Sequence, residues 1–351
     1  QSHSYIMIGD ISKARDTMSF TLTNSYIPNS FPDTTLAYKA SFDFNNDGLD
    51  DIVGGEDSLY IQLTKENKTR KFFHYPGVRD SDLIFKQHEF SSDIHVFEFY
   101  SESVKHYQYN YNRINDSISF VSSFLLDTLL YPVASEDSTG FTWKNFSQWD
   151  SHKKRVIASP NNFHVSIDNR GIQVEKFGDS LTKWESKNFN YIAGIDIDMD
   201  ANADLIALDT TGMLYLFNYD LILMPSFPLN IKLSPPILSQ NIIGDELPEI
   251  IGKSKDSKRL HVFNSKGIEI LNIATSDEDS LIALGEYYGL NSIFTQSTIY
   301  QFDTYEDLLG NKWSMEHGDI GRSKQVSLNY DYEEENKNLL YNTYCYPNPI
   351  S

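Results

Sequence analysis

The sequence predicts an all-β fold, and three observations carry that expectation. Short runs of alternating apolar and polar residues, set between Asn, Asp, Ser and Gly turns, fill most of the 351 residues, while helical periodicity is scarce. A strand-like phrase returns as SLYIQL at Ser58, SVKHYQY at Ser103, NFHVSI at Asn162, GMLYLFN at Gly212, RLHVFN at Arg259 and STIYQF at Ser297. Acidic loops recur between apolar flanks.

Successive copies of the phrase lie about 40 to 60 residues apart, the scale of one four-stranded blade of a β-propeller. The six copies give six blades directly. The N-terminal runs YIMIGDI and SFTLTN, joined through KARD, complete another with strands from the C-terminal side, so seven blades are expected and six are the alternative. Closure removes the open strand edges that invite aggregation. The expected propeller spans residues 1–325, and 326–351 reads as a linker into a following domain.

The first acidic loop is SFDFNNDGLDDIVGG, from Ser41 to Gly55. Asp43, Asn45 and Asp47 stand at positions one, three and five, Gly48 allows a left-handed turn at six, Leu49 offers its carbonyl at seven, and Asp51 closes at nine. A hard cation takes such a set of oxygens. The register returns with Asp196, Asp198, Asp200, Asn202 (through its carbonyl) and Asp204 in YIAGIDIDMDANADLIALD. Position twelve is Gly54 or Ala207 where an EF-hand needs a bidentate Glu, and the flanks read as strands. A third loop, NIIGDELPEIIG, keeps Asn241, Asp245 and Glu249 but has Ile243 at position three, so it is not expected to hold metal. Without a cation, the same loops read as Asx turns in which Asp and Asn bond to nearby backbone. The second gathers four carboxylates against three in the first, so it depends more on a cation.

DFNNDGLDDIVGG and DIDMDANADLIALD resemble the calcium-binding hairpins of FG-GAP (VCBS-type) repeats, which build the β-propeller of integrin alpha subunits and of many bacterial secreted proteins. The resemblance implies one or two structural Ca2+ ions and an extracellular protein. Ala201 stands where the family has glycine, and a left-handed alanine costs about 1–2 kcal/mol. NKWSMEHGDIGRSK, Asn311 to Lys324, resembles a Trp-Pro-Met-like segment that follows the last blade in such proteins, with Trp313 and Met315 read as covering the seam. The ending at Tyr346, Pro347, Asn348 and Pro349 looks like the start of the next module in Bacteroidetes surface proteins exported by the type IX system.

Composition narrows the partners. With 49 Asp and Glu against 29 Lys and Arg, the net charge of −20 argues against nucleic acid and anionic membrane surfaces. No run of about 18 apolar residues exists to span a bilayer, the nearest, Leu214 to Leu229, being broken by Asn218, Asp220 and two prolines. Cys345 is single and says little about compartment. The opening QSHSYIMIGD lacks a basic and apolar signal region, so Gln1 reads as a terminus left by processing or by cloning.

Catalytic signatures are missing: no zinc-binding His-Glu-x-x-His, no Gly-x-Ser-x-Gly elbow, no Gly-x-Gly-x-x-Gly loop. GKSK at Gly252 has Leu247 where a phosphate loop needs glycine, and the nine scattered histidines, His88 and His95 among them, read as surface or core residues. Tyr107, Tyr109 and Tyr111 share one strand face and read as packing between blades, with sugar binding as the alternative; Tyr287 and Tyr288 leave the same choice. The expectation is a non-catalytic, monomeric, secreted or cell-surface module that binds carbohydrate or protein on one rim. A lyase-like polysaccharide enzyme on a calcium-bearing propeller and a structural spacer are the alternatives.

Overall fold

The computed structural model describes residues 6–9, 21–24, 38–47, 49–55, 58–64, 68–72, 81–87, 90–100, 102–126, 130–134, 141–145, 155–159, 163–168, 171–176, 179–184, 187–245, 247–276, 279–304, 312, 314–315 and 325–327. Among the described residues the regular structure is all strand, as the alternating pattern predicts.

β1 (Ile6–Gly9) and β2 (Thr21–Asn24) pair with each other. β3 (Tyr38–Phe42), β4 (Asp51–Gly54), β5 (Leu59–Leu63) and β6 (Lys68–Phe72) form an antiparallel meander, as do β7 (Ser81–Gln87), β8 (Ser91–Phe99), β9 (Val104–Asn112) and β10 (Ser117–Leu126). β11 (Leu130–Ala134) and β12 (Phe141–Asn145) make a two-stranded sheet. β13 (Arg155–Ser159), β14 (Phe163–Asp168), β15 (Gly171–Lys176) and β16 (Asp179–Lys183) are the next meander.

β17 (Phe189–Ile195), β18 (Asp204–Asp209) and β19 (Met213–Phe217) lead into β20 (Leu229–Gln240), which belongs to two sheets. Its first residues pair with β19 and the stretch from Leu233 with β21 (Glu249–Ser254), the register shifting between Ser234 and Ile237, where two prolines have no N–H for a ladder. β22 (Arg259–Phe263) and β23 (Glu269–Ala274) complete that sheet. β24 (Leu281–Tyr287), β25 (Leu290–Thr295) and β26 (Ile299–Gln301) follow, and β27 (Gln325–Ser327) lies parallel to β13.

Sheets meet largely through their first strands, although β14 also meets β17 and β10 meets β6. β13 packs on β17, β17 on β20, β20 on β24, and β3 on β7; β24 also packs on β3, so the last sheet returns to the first. Second strands are sandwiched between sheets, which is why DIVG, DLIALD and EIIG read as continuous apolar runs rather than alternating ones. The returning phrase supplies β5, β9, β19, β22 and β26, each a third strand; NFHVSI is instead the second strand, β14. The N-terminal pair does not accept a C-terminal strand among the described residues. The strand arriving from that side is β27, and it takes the open edge of β13. KARD and residues beyond Ser327 lie outside the described residues.

The junction of last and first sheets is tight because Gly285 has no side chain. The Glu286 amide donates to Asp50 Oδ2 at 3.3 Å and Ser41 Oγ donates to the same oxygen at 2.9 Å. Beneath them Ile52 packs with Ala283, Tyr287, Phe294 and Ile299. A Cβ at Gly285 would stand 2.6 Å from Asp50 Oδ2 and 2.7 Å from Ser41 Oγ. Gly285→Val is therefore expected to lower unfolding stability by about 1–3 kcal/mol, as overpacking does. A denaturant midpoint unchanged by the substitution would contradict this close approach.

Candidate metal centre

The three acidic loops occupy the same place in their sheets: they join β3 to β4, β17 to β18 and β20 to β21, each a first strand to a second. Position two is an apolar anchor, and Phe44, Ile197 and Ile242 are each 0% exposed. Anchoring that side chain inward leaves its backbone N–H inside the loop, where it needs an acceptor. Position nine supplies it. The Phe44 N–H donates to Asp51 Oδ2 at 3.0 Å, the Ile197 N–H to Asp204 Oδ2 at 2.9 Å, and the Ile242 N–H to Glu249 Oε2 at 2.9 Å.

Two further bonds set the turn. The position-five carboxylate accepts the N–H of position seven: Asp47 from Leu49 at 3.0 Å, Asp200 from Asn202 at 2.8 Å, and Asp245 from Leu247 at 3.2 Å. Position one accepts from farther round, Asp43 from the Asp47 amide, Asp196 from the Asp200 and Ala201 amides, and Asn241 from the Gly244 amide. Position four is left-handed in every loop, with φ of 60° at Asn46, 60° at Met199 and 76° at Gly244. Ala201 at position six is left-handed as well, at 65°, the strain its place in the motif implies.

Neighbouring sheets brace two of the loops. Ser92 Oγ and Arg113 Nε donate to the Phe44 carbonyl at 3.1 and 3.0 Å. Asn291 Nδ2 donates to the Asn241 carbonyl at 3.1 Å, and the Thr304 hydroxyl donates to the Ile242 carbonyl.

The loops differ in where their oxygens point. Asp196, Asp198 and Asp204 each bring one carboxylate oxygen within 4.8 Å of the others, the only such acidic group among the described residues. Oxygens bound to one Ca2+ at 2.3–2.6 Å are separated by no more than about 5 Å, so the triad fits a single hard cation. Asp200 and Asn202 are bonded to one another instead. In the first loop Asn45 Nδ2 donates to Asp47 Oδ2 at 2.9 Å and Asn45 Oδ1 accepts the Asp47 amide, so its third and fifth positions hold each other. Leu49 stays half-buried beside them, and Gly48 lies outside the described residues. In the third loop Ile243 donates its N–H to Glu249 and offers no side-chain oxygen.

Burial dominates the electrostatics. It pushes Asp51 up to about 7, with the charges of Asp43 and Asp47 adding, against the opposing pull of the Thr64 and Phe44 N–H groups. It pushes Asp204 up to about 8, with Asp198, Asp196 and Asp200 adding and the Ile197 N–H opposing. Glu249 is held well above the usual range by burial and then by Asp245. A cation among these oxygens would favour the ionised forms.

Elsewhere the tyrosine face packs. Tyr107, Tyr109 and Tyr111 lie in the core between the first two meanders, Tyr107 donating to Glu98 Oε2 and Tyr111 to Asp116 Oδ1. Tyr287 is buried and Tyr288 half exposed. Two features have no counterpart in the sequence reading. His95 Nδ1 and His106 Nε2 approach to 3.0 Å across the β8–β9 hairpin, where burial lowers His106 to about 4, and Tyr100 donates to Glu98 Oε2 at 2.6 Å. The histidines are eleven residues apart on two strands and Tyr100 is two residues beyond Glu98 at a strand end, spacings that hydrophobic periodicity does not mark. His88 lies outside the described residues.

No family model matches the chain, and no curated protein matches it. Among solved structures, it is similar to a crystal structure of BBS1N in complex with ARL6DN soaked with mercury, at a TM-score of 0.35 and 13% identity, over 82% of this chain and 98% of that one. A lead-soaked crystal of the same complex gives 0.33 and 12%, over 79% and 82%.

In the metal-free protein Asp51 and Asp204 hold their protons more tightly folded than unfolded. Their contribution is full below about pH 4 and is lost as pH rises through about 7 and 8. Urea unfolding in EDTA should thus give lower stability at pH 8.5 than at pH 5, and Asp204→Asn should narrow the gap. Calcium affinity should move the opposite way and strengthen with pH. Stability that rises with pH in EDTA would contradict the assignment.

Proposed function

We propose that the chain is a secreted, calcium-stabilised β-propeller that acts as a non-catalytic, monomeric binding module at the cell surface, offering loops on one rim to a carbohydrate or a protein. The observation that carries the reading is the shared construction of the three first-to-second-strand loops, one of which brings Asp196, Asp198 and Asp204 within the span of a single cation. The succession of meanders supports the ring: their first strands pack on one another from β13 through β17, β20 and β24 to β3 and β7. With β11 and β12 as part of a blade the count is seven; without them it is six.

Bound calcium would supply charge neutralisation at the loops and a fixed geometry for the rim. Asp196, Asp198 and Asp204 would hold it in the second loop, with Asp200 and the Asn202 carbonyl completing the shell. Asp43, Asn45, Asp47, the Leu49 carbonyl and Asp51 would do so in the first once Asn45 and Asp47 release one another. The protein's own contribution is the anchor at position two and the buried acceptor at position nine, which keep the loop shape. That division of labour suits a module exposed to millimolar calcium, for which dissociation constants of about 10⁻⁴–10⁻³ M suffice.

Thermal unfolding in EDTA and in calcium tests the metal. At a few millimolar calcium a site with a dissociation constant of about 10⁻⁴ M adds about 2 kcal/mol, so the melting temperature should rise, and less so in Asp47→Ala and in Asp200→Ala. An unchanged melting temperature would remove calcium and, with it, the main support for an extracellular role. The calcium-loaded protein on a glycan array and against surface proteins should bind at least one class; release of unsaturated sugars would overturn the non-catalytic reading.

A further inference from the structure

In an antiparallel meander the first-to-second and third-to-fourth connections leave from one end of the sheet, and the second-to-third connection leaves from the other. Contacts join that first end from sheet to sheet. Gly267, between β22 and β23, lies so near the β19–β20 connection that a Cβ on it would stand 2.9 Å from Leu229 and 3.2 Å from Phe227. The Asn241 loop meets Asn291 and Thr304 of the last sheet. A Cβ on Gly289, between β24 and β25, would lie 3.6 Å from Leu49 of the first acidic loop. Arg113, between β9 and β10, donates through Nε to the Phe44 carbonyl of that loop at 3.0 Å.

Exposed apolar side chains gather at this end. Among the described residues ten large hydrophobic side chains are exposed: Phe90, Ile114, Ile222, Ile268 and Tyr288 stand here, four lie along β10, and Tyr100 stands at the opposite end. Singly scattered apolar residues would need no account. Three of these, however, are built alike. Ile114, Ile222 and Ile268 are 78%, 62% and 58% exposed, and each sits in a third-to-fourth-strand turn. There its N–H donates to the side-chain oxygen of an asparagine at the end of the third strand, Asn112 at 2.9 Å, Asn218 at 2.9 Å and Asn264 at 3.0 Å. The bond ties the turn down and leaves a stiff, β-branched side chain in water, so little ordering remains to be done when a partner arrives.

The charge between these tips is negative. Asp198, Asp200, Asp220 and Asp303 are exposed at this end and Asp245 is half-buried, against an exposed Lys266 and an Arg113 engaged with Phe44. Calcium in the first two loops would offset a small share of the net charge of −20 and would leave Asp220 and Asp303 as they are. We propose that this end is a docking face for a protein, whose contacting surface presents apolar side chains beside lysine or arginine. The inference rests on the binding-module reading above, and it names the end that is used and the ligand class that uses it. Branched aliphatic tips fit apolar side chains and offer a sugar no flat ring, and Tyr288 is tilted by 55° onto Tyr287. Apolar anchors among polar groups are the anatomy of a protein interface, and the acidic field draws a basic partner while repelling an acidic one.

Random peptides displayed on phage, selected against the full chain in millimolar calcium, are the probe. The selected sequences should combine Lys or Arg with large apolar residues and should lose affinity as salt rises. Each should weaken at least tenfold in Ile222→Ser with Ile268→Ser or in Ile114→Ser with Tyr288→Ser, as removal of buried anchors does. Val121→Ser with Leu125→Ser, on β10, should leave them within about twofold, a change smaller than one anchor makes. Should an isoleucine variant not fold, Asp220→Lys with Asp303→Lys alters charge alone and should weaken the same peptides severalfold; no effect of it overturns the basic partner. Peptides that map to β10 or to the opposite end overturn this face and keep the binding module. Glycan binding that the isoleucine variants abolish overturns the protein partner alone. No binder among the peptides, with none on the glycan array, overturns both readings.

Discussion

A buried carboxylate that accepts the N–H of a residue seven or so positions earlier is what the rest of this structure depends on. Asp51, Asp204 and Glu249 are 0%, 2% and 0% exposed, and each meets the amide of the apolar anchor at position two. The bond lets one side chain face the core while the flanking oxygens face out. It also fixes the first two strands of a sheet in register, since the ninth residue opens the second strand. Its cost is a carboxyl held in a poor solvent, where burial favours the protonated form unless a cation or further N–H groups take up its charge.

The three loops resolve that cost differently. In the second, Asp196 and Asp198 gather around Asp204, an arrangement that repels itself without a cation. In the first, Asn45 in place of an acid at position three lets the turn close through amide bonds, and Thr64 gives Asp51 a second N–H. The third has Ile243 where an oxygen would be and leans on its neighbour, through Asn291 and Thr304. One scaffold thus carries three different arrangements of loop oxygens, set by the residue at position three.

Much of this was legible in the residues. Alternation gave the strands because side chains on opposite faces of a pleat meet different surroundings, and the one, three, five, nine register gave the loops because these side chains lie on one turn. Glycine at position six pointed to one left-handed residue, which Ala201 shows in the second loop, but not to the other: position four is left-handed in all three loops, and in the second it is Met199, which no turn rule flags. The ninth acid was read as a ligand alone, although its burial makes it an internal acceptor too. The returning phrase marked third strands because these are nearly as buried as the second, as in MLYLF and RLHVF. Pairings between remote segments were not legible. Gly285 against Asp50 and β27 against β13 depend on surfaces that exist only once the sheets are assembled.

The return of the last sheet onto the first bears on the order of events when the chain folds. The Glu286 to Asp50 hydrogen bond spans 236 positions, and closing a flexible loop of that length costs about 5 kcal/mol of chain entropy before any contact repays it. The meanders, whose strands are joined by short turns, carry no such cost and form by local pairing. Closure is then the late, slow event, and the small residue that permits it governs how long the assembled molecule lasts more than how quickly it forms.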